Sequence, residues 1–165
     1  SIEENLMGIS YFKPPYSKRG VLDFREISAS AERDISDYDV RTSDRHHAAV
    51  TLSGGNMQKV VLAREIGALP DVLIVAQPTR GLDIGSIEFV HKKIVETRDR
   101  GAAVLLVSAE LSEIMSLSDR IAVIYEGEVV GVVDASQATE EVLGLWMAGI
   151  RSNDTDEKAD KGEAQ

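Results

Sequence analysis

Residues 72–83 read Val-Leu-Ile-Val-Ala-Gln-Pro-Thr-Arg-Gly-Leu-Asp. An unbroken apolar row stops at Gln77-Pro78 and gives way to a polar turn around Gly81. A row so short and so apolar predicts a strand buried on both faces, the habit of parallel sheets. A second such row, residues 102–107 (Ala-Ala-Val-Leu-Leu-Val), predicts another. Between them Ile87, Val90, Ile94 and Val95 recur at helical spacing from Ser86 to Arg100, and Gly101 is placed to end that helix. Strand, helix, strand predicts a parallel βαβ unit with helices on the sheet faces. Sheets of this kind bind ligands beyond the carboxyl ends of their strands. That directs attention to Ala76–Asp83 and to the junction that follows Val107.

Upstream, a helix is predicted to begin after Gly54-Gly55, with Met57, Val60 and Val61 as its apolar stripe and an end near Gly67 and Pro70. Residues 21–40 repeat Phe24, Ile27, Ala31 and Ile35 at helical spacing. Residues 1–20 suggest a short helix and then a loop through Pro14, Pro15 and Gly20, and residues 41–51 are polar and loop-like. Downstream, a helix is expected from about Glu110 to Leu117. The β-rich runs 121–125 and 128–133 flank Glu126-Gly127 and predict a hairpin. Residues 137–150 suggest a closing helix. From Arg151 the chain is charged and nearly free of apolar residues, the composition of a disordered tail. There is no internal repeat.

With 165 residues the chain is the size of one ordinary domain, and 43% hydrophobic with 28% charged residues is a soluble globular balance. A net charge of -10 argues against nucleic acid and anionic membrane as direct partners, because both select basic surfaces. Nucleotide binding stays open, since a few backbone amides and cations decide it locally. The chain has no cysteine, which excludes disulfides and Cys-ligated zinc. No apolar run approaches the ~18 residues of a membrane span. The start, Ser-Ile-Glu-Glu-Asn, has no signal-peptide character, and Ser1 in place of Met suggests a piece of a longer protein.

Three strings carry chemistry. In Leu52-Ser53-Gly54-Gly55-Asn56-Met57-Gln58-Lys59, two glycines at a helix start let a backbone approach a ligand closely. The free N–H groups and dipole of that start suit a phosphate, and Ser53 adds a hydroxyl. Its plainer reading is a serine N-cap with a glycine turn. In the 72–83 string a buried strand ends where a nucleotide hydrolase presents an acid for Mg²⁺. Its plainer reading is a loop in which Asp83 caps the next helix. Val107-Ser108-Ala109-Glu110-Leu111 by itself is only a strand–helix junction.

Taken in order, these strings resemble the ATP-binding-cassette (ABC) transporter ATPases. LSGGNMQK is similar to the family's signature motif, VLIVAQPTRGLD to its Walker B segment and D-loop, and VLLVSAELSEIMSLSDRIAVIYEGEVVG to its switch region and following hairpin. The resemblance covers most of residues 1–150. It implies an α/β, partial P-loop NTPase-like fold: a parallel sheet with flanking helices, a helical subdomain and a C-terminal β-hairpin. Residues 1–150 would be the C-terminal two-thirds of an ABC domain, with 1–67 the helical subdomain and 68–150 the remainder of the core, followed by the acidic tail 151–165. The finer resemblance is to the second, degenerate cassette of tandem-cassette importers of simple sugars and nucleosides, in the branch that works with basic-membrane-protein-type binding proteins.

The departures from the family pattern are specific. Ala76 and Gln77 stand where Walker B usually holds Asp and Glu, and Ala109 stands at the usual switch histidine. Ala76 offers no oxygen to Mg²⁺. Gln77 can hydrogen-bond a water but cannot take its proton. His46, His47 and His91 do not fall at the switch position and read as loop or helix-surface residues. The phosphate loop G-x-x-x-x-G-K-[ST] is missing, which suggests truncation and an unpaired sheet edge. The signature string is intact. The resemblance therefore implies that Ser53, Gly54, Gly55 and Gln58 complete an ATP site in trans, with Asp83 at the same cassette interface. ATP and Mg²⁺ would belong to that composite site, with Mg²⁺ not held by this chain. The implied partners are another cassette (in the same full-length chain or its dimer mate), transmembrane permease subunits and, indirectly, an extracellular substrate-binding protein, at the cytoplasmic face of the membrane and without nucleic acid. Alternatives are a scaffold or regulatory cassette with no nucleotide contact, an unrelated α/β binding domain, and a soluble ABC protein of translation or DNA repair.

Overall fold

The computed structural model describes residues 1–150; the tail expected to be disordered lies outside the described residues. The chain divides into a first unit, residues 1–107, and a second that begins at Ser108.

In the first unit the order is α1 (Ile2–Met7), β1 (Ser17–Lys18), β2 (Val21–Leu22), α2 (Phe24–Asp37), α3 (Gly54–Gly67), β3 (Val72–Ala76), α4 (Ile84–Asp99) and β4 (Ala103–Val107). The β3–α4–β4 stretch is the expected parallel unit, in register from Val72↔Ala103 to Ala76↔Val107. Its helix starts under Asp83 and stops at Gly101, which has φ 101°, a conformation glycine adopts without penalty. α1 is closed by a capping box between Ser1 and Glu4, and α2 by Asp23, whose carboxylate accepts from the Arg25 and Glu26 amides. Arg45 ties the loop after α2 back to α1 and α2, donating to Glu3 at 2.8 Å and to Glu32 at 2.5 Å.

The core of this unit gathers Ile2 and Leu6 of α1, Ala31 of α2, Val60, Leu62, Ala63 and Ile66 of α3, Leu73 and Val75 of β3, and Val90 and Ile94 of α4. Each large aliphatic buried this way contributes about 1.5–3 kcal/mol.

Three expectations are corrected. β3 and β4 are not buried on both faces. Leu73 and Val75 point into the core, while Ile74 is 68% and Leu105 is 56% exposed. The cause is that among the described residues the sheet has two strands and this unit's helical core covers one of its faces. The stripe of α3 is also shifted. Met57 and Val61 are exposed, and the buried face is Lys59, Val60, Leu62, Ala63 and Ile66. Finally, Phe24 is 68% exposed at the first position of α2, outside the stripe that Ile27 and Ala31 continue.

The second unit contains α5 (Leu111–Leu117), β5 (Arg120–Tyr125), β6 (Glu128–Asp134) and α6 (Glu140–Met147). β5 and β6 form the expected antiparallel hairpin. Glu126 and Gly127 both take positive φ, 49° and 85°, as a two-residue primed turn requires. Ile121, Val123 and Leu143 form its core, with Ile114, Met115 and Trp146 packed around them. The closing helix is shorter than expected at both ends: Thr139 caps its start, accepting from the Val142 amide, and it stops at Met147, two residues before Gly149 at φ 80°.

Candidate functional site

The signature-like string folds as the start of α3. Ser53 is its N-cap, with extended φ −64° and ψ 160°. Ser53 Oγ accepts from the Asn56 amide at 3.5 Å and from Asn56 Nδ2 at 3.0 Å. Asn56 Oδ1 in turn accepts from the backbone N–H of Arg41 at 2.8 Å. The capping reading of Ser53 is thus realised in the fold.

The two glycines differ in what they do. Gly54 is exposed, and a Cβ there would meet nothing within 4 Å among the described residues. A Cβ on Gly55 would lie 2.9 Å from Ser86 Oγ and 3.7 Å from Asp83 Oδ2. Packing inside the chain therefore accounts for Gly55 and not for Gly54. Gln58 lies one turn into α3 and is half-buried.

Asp83 caps α4, accepting from the Ser86 N–H at 3.0 Å and the Ser86 hydroxyl at 2.9 Å. The Ser86 backbone bond, then its hydroxyl, hold the Asp83 carboxyl below the usual carboxylate range. Through Gly55 and Ser86, the starts of α3 and α4 stand side by side. The structure thus brings Ser53, Gly54, Gly55 and Asp83 into one neighbourhood.

Ala76 ends β3 opposite Val107. Gln77 follows in a left-handed conformation, φ 50°, with its N–H donating to the Val107 carbonyl at 2.7 Å. That bond extends the pairing by one step and turns the chain toward buried Pro78 and Thr79. Ala109 belongs to the second unit, between Ser108 and Glu110, where the Ser108 hydroxyl accepts from the Glu110 N–H at 3.0 Å. His46 and His47 lie in the loop after α2, where their backbone N–H groups bond to Asp44, and His91 is on α4.

Sequence reasoning missed Asn56, Ser86 and Lys59. Lys59 is buried, and its Nζ donates to the Asp39 carbonyl at 2.9 Å and the Asp39 carboxylate at 2.8 Å. The signal for Asn56 was its place three residues after a serine cap, the slot of a capping partner. Lys59 gave none, because a lysine on a helix reads as solvated.

The first unit thus places a serine-capped helix start beside an aspartate-capped one, with a parallel βαβ unit behind them. Among solved structures the fold of the chain matches a dimeric bacterial ABC transporter cassette, MJ0796, with a TM-score of 0.69 at 24% identity over 82% of this chain and 56% of that one. An inward-facing metal-chelate-type ABC transporter matches with a TM-score of 0.70 at 14% identity, over 90% of this chain and 58% of the other. The chain has the fold of an ABC transporter cassette. Its sequence is close to nucleoside and sugar import ATP-binding proteins. It is 57% identical over 148 residues to the guanosine import ATP-binding protein NupO of Bacillus subtilis (strain 168), covering 90% of this chain and 29% of that relative. It is 47% identical over 154 residues to the nucleoside import ATP-binding protein NupA of Lactococcus lactis subsp. cremoris (strain MG1363), covering 93% of this chain and 30% of the relative. The chain thus spans under a third of the length of the curated relatives it matches. No protein-family model matches this cassette-fold chain. Among the described residues no helix is long and apolar enough to cross a membrane.

Proposed function

We propose that this chain is part of the ATP-binding subunit of an importer of nucleosides or simple sugars, and that it acts in trans. Residues 1–67 form the helical portion that carries the signature, and 68–150 the rest of the cassette core. Ser53, Gly54, Gly55 and Gln58 complete an ATP site whose phosphate loop lies on a partner cassette, and Asp83 stands at the same interface. The chain works at the cytoplasmic face of the membrane, where transmembrane permease subunits, and through them an extracellular binding protein, complete the assembly. The names of the relatives support the import reading.

The observation that carries the trans role is Gly54. It is the first residue of α3, without a positive φ that would call for glycine, and a side chain there would have open space among the described residues. Among the described residues no neighbouring atom selects glycine at this position. A ligand whose phosphate meets the backbone does, because a Cβ would stand between them. The helix start offers free N–H groups and a positive dipole end, and Ser53 offers a hydroxyl at the same exposed edge.

The residues at the strand end do not fit Mg²⁺ chemistry. Ala76 has no oxygen, and Gln77 is a neutral amide that cannot accept a proton from water. No hydrolytic step is assigned to this chain's own side, which binds nucleotide weakly or holds it without turnover. Single-turnover cleavage at both sites of the assembly would contradict that half of the proposal.

The test is ATP turnover by the complete reconstituted transporter with Gly54→Asp. The side chain has room, so the fold should survive, while the carboxylate sits where a phosphate must approach. Turnover is expected to collapse with the assembly intact. Unchanged turnover would return the signature to the status of a relic and this half to that of a scaffold.

A further inference from the structure

We infer that Asn56 is a positioning residue that presets the Ser53 hydroxyl as a hydrogen-bond donor toward the nucleotide; this rests on the trans reading of the signature segment. The orientation of the Asn56 amide is decided by a backbone group. The Arg41 N–H can only donate, so the amide atom 2.8 Å from it is the carbonyl oxygen, Oδ1. Nδ2 must then face Ser53, where it donates to Oγ at 3.0 Å. The Asn56 backbone N–H donates to the same oxygen at 3.5 Å.

A serine hydroxyl has two lone pairs and one proton. Both acceptor positions of Ser53 Oγ are taken by Asn56, and what remains is the proton. Ser53 is exposed, so that proton is offered outward at the edge of α3, beside the open space over Gly54. Phosphate oxygens only accept. A hydroxyl free to rotate spends part of its time with a lone pair toward the phosphate, which is repulsive. The chain Arg41 N–H, Asn56 amide, Ser53 Oγ removes that option. Asn56 itself touches no ligand in this scheme and acts through Ser53.

The experiment measures ATP turnover against ATP concentration for the full-length protein in its transporter, comparing wild type, Ser53→Ala, Asn56→Asp and the double variant. Aspartate has the shape of asparagine. Its first oxygen still accepts from Arg41 N–H, so the loop stays tied, but its second oxygen accepts where Nδ2 donated and turns the Ser53 proton inward. Asn56→Asp alone is expected to raise KM for ATP about tenfold, the scale of one hydrogen bond to a charged group. In the Ser53→Ala background it should add no more than about a twofold change, because the hydroxyl it acts on is gone. If the new charge rather than the hydroxyl's direction were responsible, the loss would persist in full without Ser53, and the inference would be overturned. Asn56→Ala frees the hydroxyl without reversing it and should fall between wild type and Asn56→Asp; an equal loss in both also overturns the inference. A harmful Ser53→Ala with a silent Asn56→Asp sinks this inference alone, whereas a silent Ser53→Ala sinks the signature reading beneath it.

Discussion

A Cβ on Gly55 would lie 2.9 Å from the hydroxyl oxygen of Ser86, closer than side chains pack. Ser86 cannot yield freely, because that hydroxyl donates to Asp83 at 2.9 Å. The start of α3 and the cap of α4 are therefore one packed junction. Gly55→Ala must either break the Ser86–Asp83 bond or push the two helix starts apart. We expect it to destabilise the full-length protein by about 1 kcal/mol, the low end for overpacking. Adding Ser86→Ala removes the close atom and leaves Cβ at 3.6 Å. The double variant should then be more stable than the sum of the single losses, read from denaturant midpoints. Gly54→Ala, with open space around it, should leave the midpoint unchanged or slightly raised.

The contrast between these glycines marks how far the sequence could be read. Apolar runs and turn residues were enough for the βαβ unit, the hairpin and the start of α3 at Gly54, because those depend on local chemistry. Burial of β3 and β4 was misjudged because an apolar strand looks the same whether one face or two is covered, and Ile74 and Leu105 show that one is. The Ser53 and Asp83 caps were visible as the plainer readings. The Asn56–Arg41 tie spans the distance from the loop after α2 to α3, and such partners cannot be paired from one sequence.

Lys59 shows the same limit inside the core. Its Nζ bonds both the carbonyl and the carboxylate of Asp39 and lies 4.9 Å from the centroid of the Phe89 ring, which meets Tyr38 edge-on. Asp39 itself has φ 47°, so its carbonyl is turned back toward the helix. Lys59→Met keeps the stem's packing and removes the donors. About 1–2 kcal/mol of stability should be lost, as for hydrogen bonds to a charged group. Asp39→Asn should matter far less, since the carbonyl still accepts and asparagine tolerates the left-handed conformation. Urea unfolding of the two variants side by side would check the ranking.

Acid should act on the fold through carboxylates of opposite sign. The Lys59 hydrogen bond lowers the Asp39 carboxyl and the Ser86 bonds lower that of Asp83, both from an ordinary 3.8. A depressed folded value means these groups contribute stability that is present above about pH 4 and fades as pH falls through the lowered values. Burial raises Asp34 instead. Its folded state favours the proton, so it costs stability at neutral pH and stops costing once protonated. Asp34→Asn should therefore raise the thermal midpoint at pH 7 and leave it unchanged near pH 3. A gain of equal size at both pH values would refute this account of Asp34.

In the second unit, β6 passes under the indole of Trp146. A Cβ on Gly131 would lie 2.7 Å from two of the ring carbons, so the ring rests on bare backbone. A flat indole is a poor yielder, being rigid and wedged against Ile121, Val123 and Leu143. Gly131→Ala should cost about 1–3 kcal/mol. Trp146 is this chain's single tryptophan. In a preparation of the 165-residue chain its emission reports this site alone, and the substitution should move it toward the red as the ring is lifted from its seat.

The proposed loss of hydrolysis on this chain's own side also has a consequence for repair. Gln77 holds its conformation through its backbone N–H bond to the Val107 carbonyl, which any residue with an amide can make. Gln77→Glu should therefore fold and place a carboxylate at the end of β3, supplying a base in name. It should leave turnover by the assembled transporter within about twofold of wild type. Catalytic groups that act as a unit are not restored one at a time, and Ala76 and Ala109 would still lack the oxygen and the imidazole that the resemblance places there. A several-fold gain in turnover from Gln77→Glu alone would mean that the missing base was the one defect on this side, and that Mg²⁺ is held there by residues outside this chain.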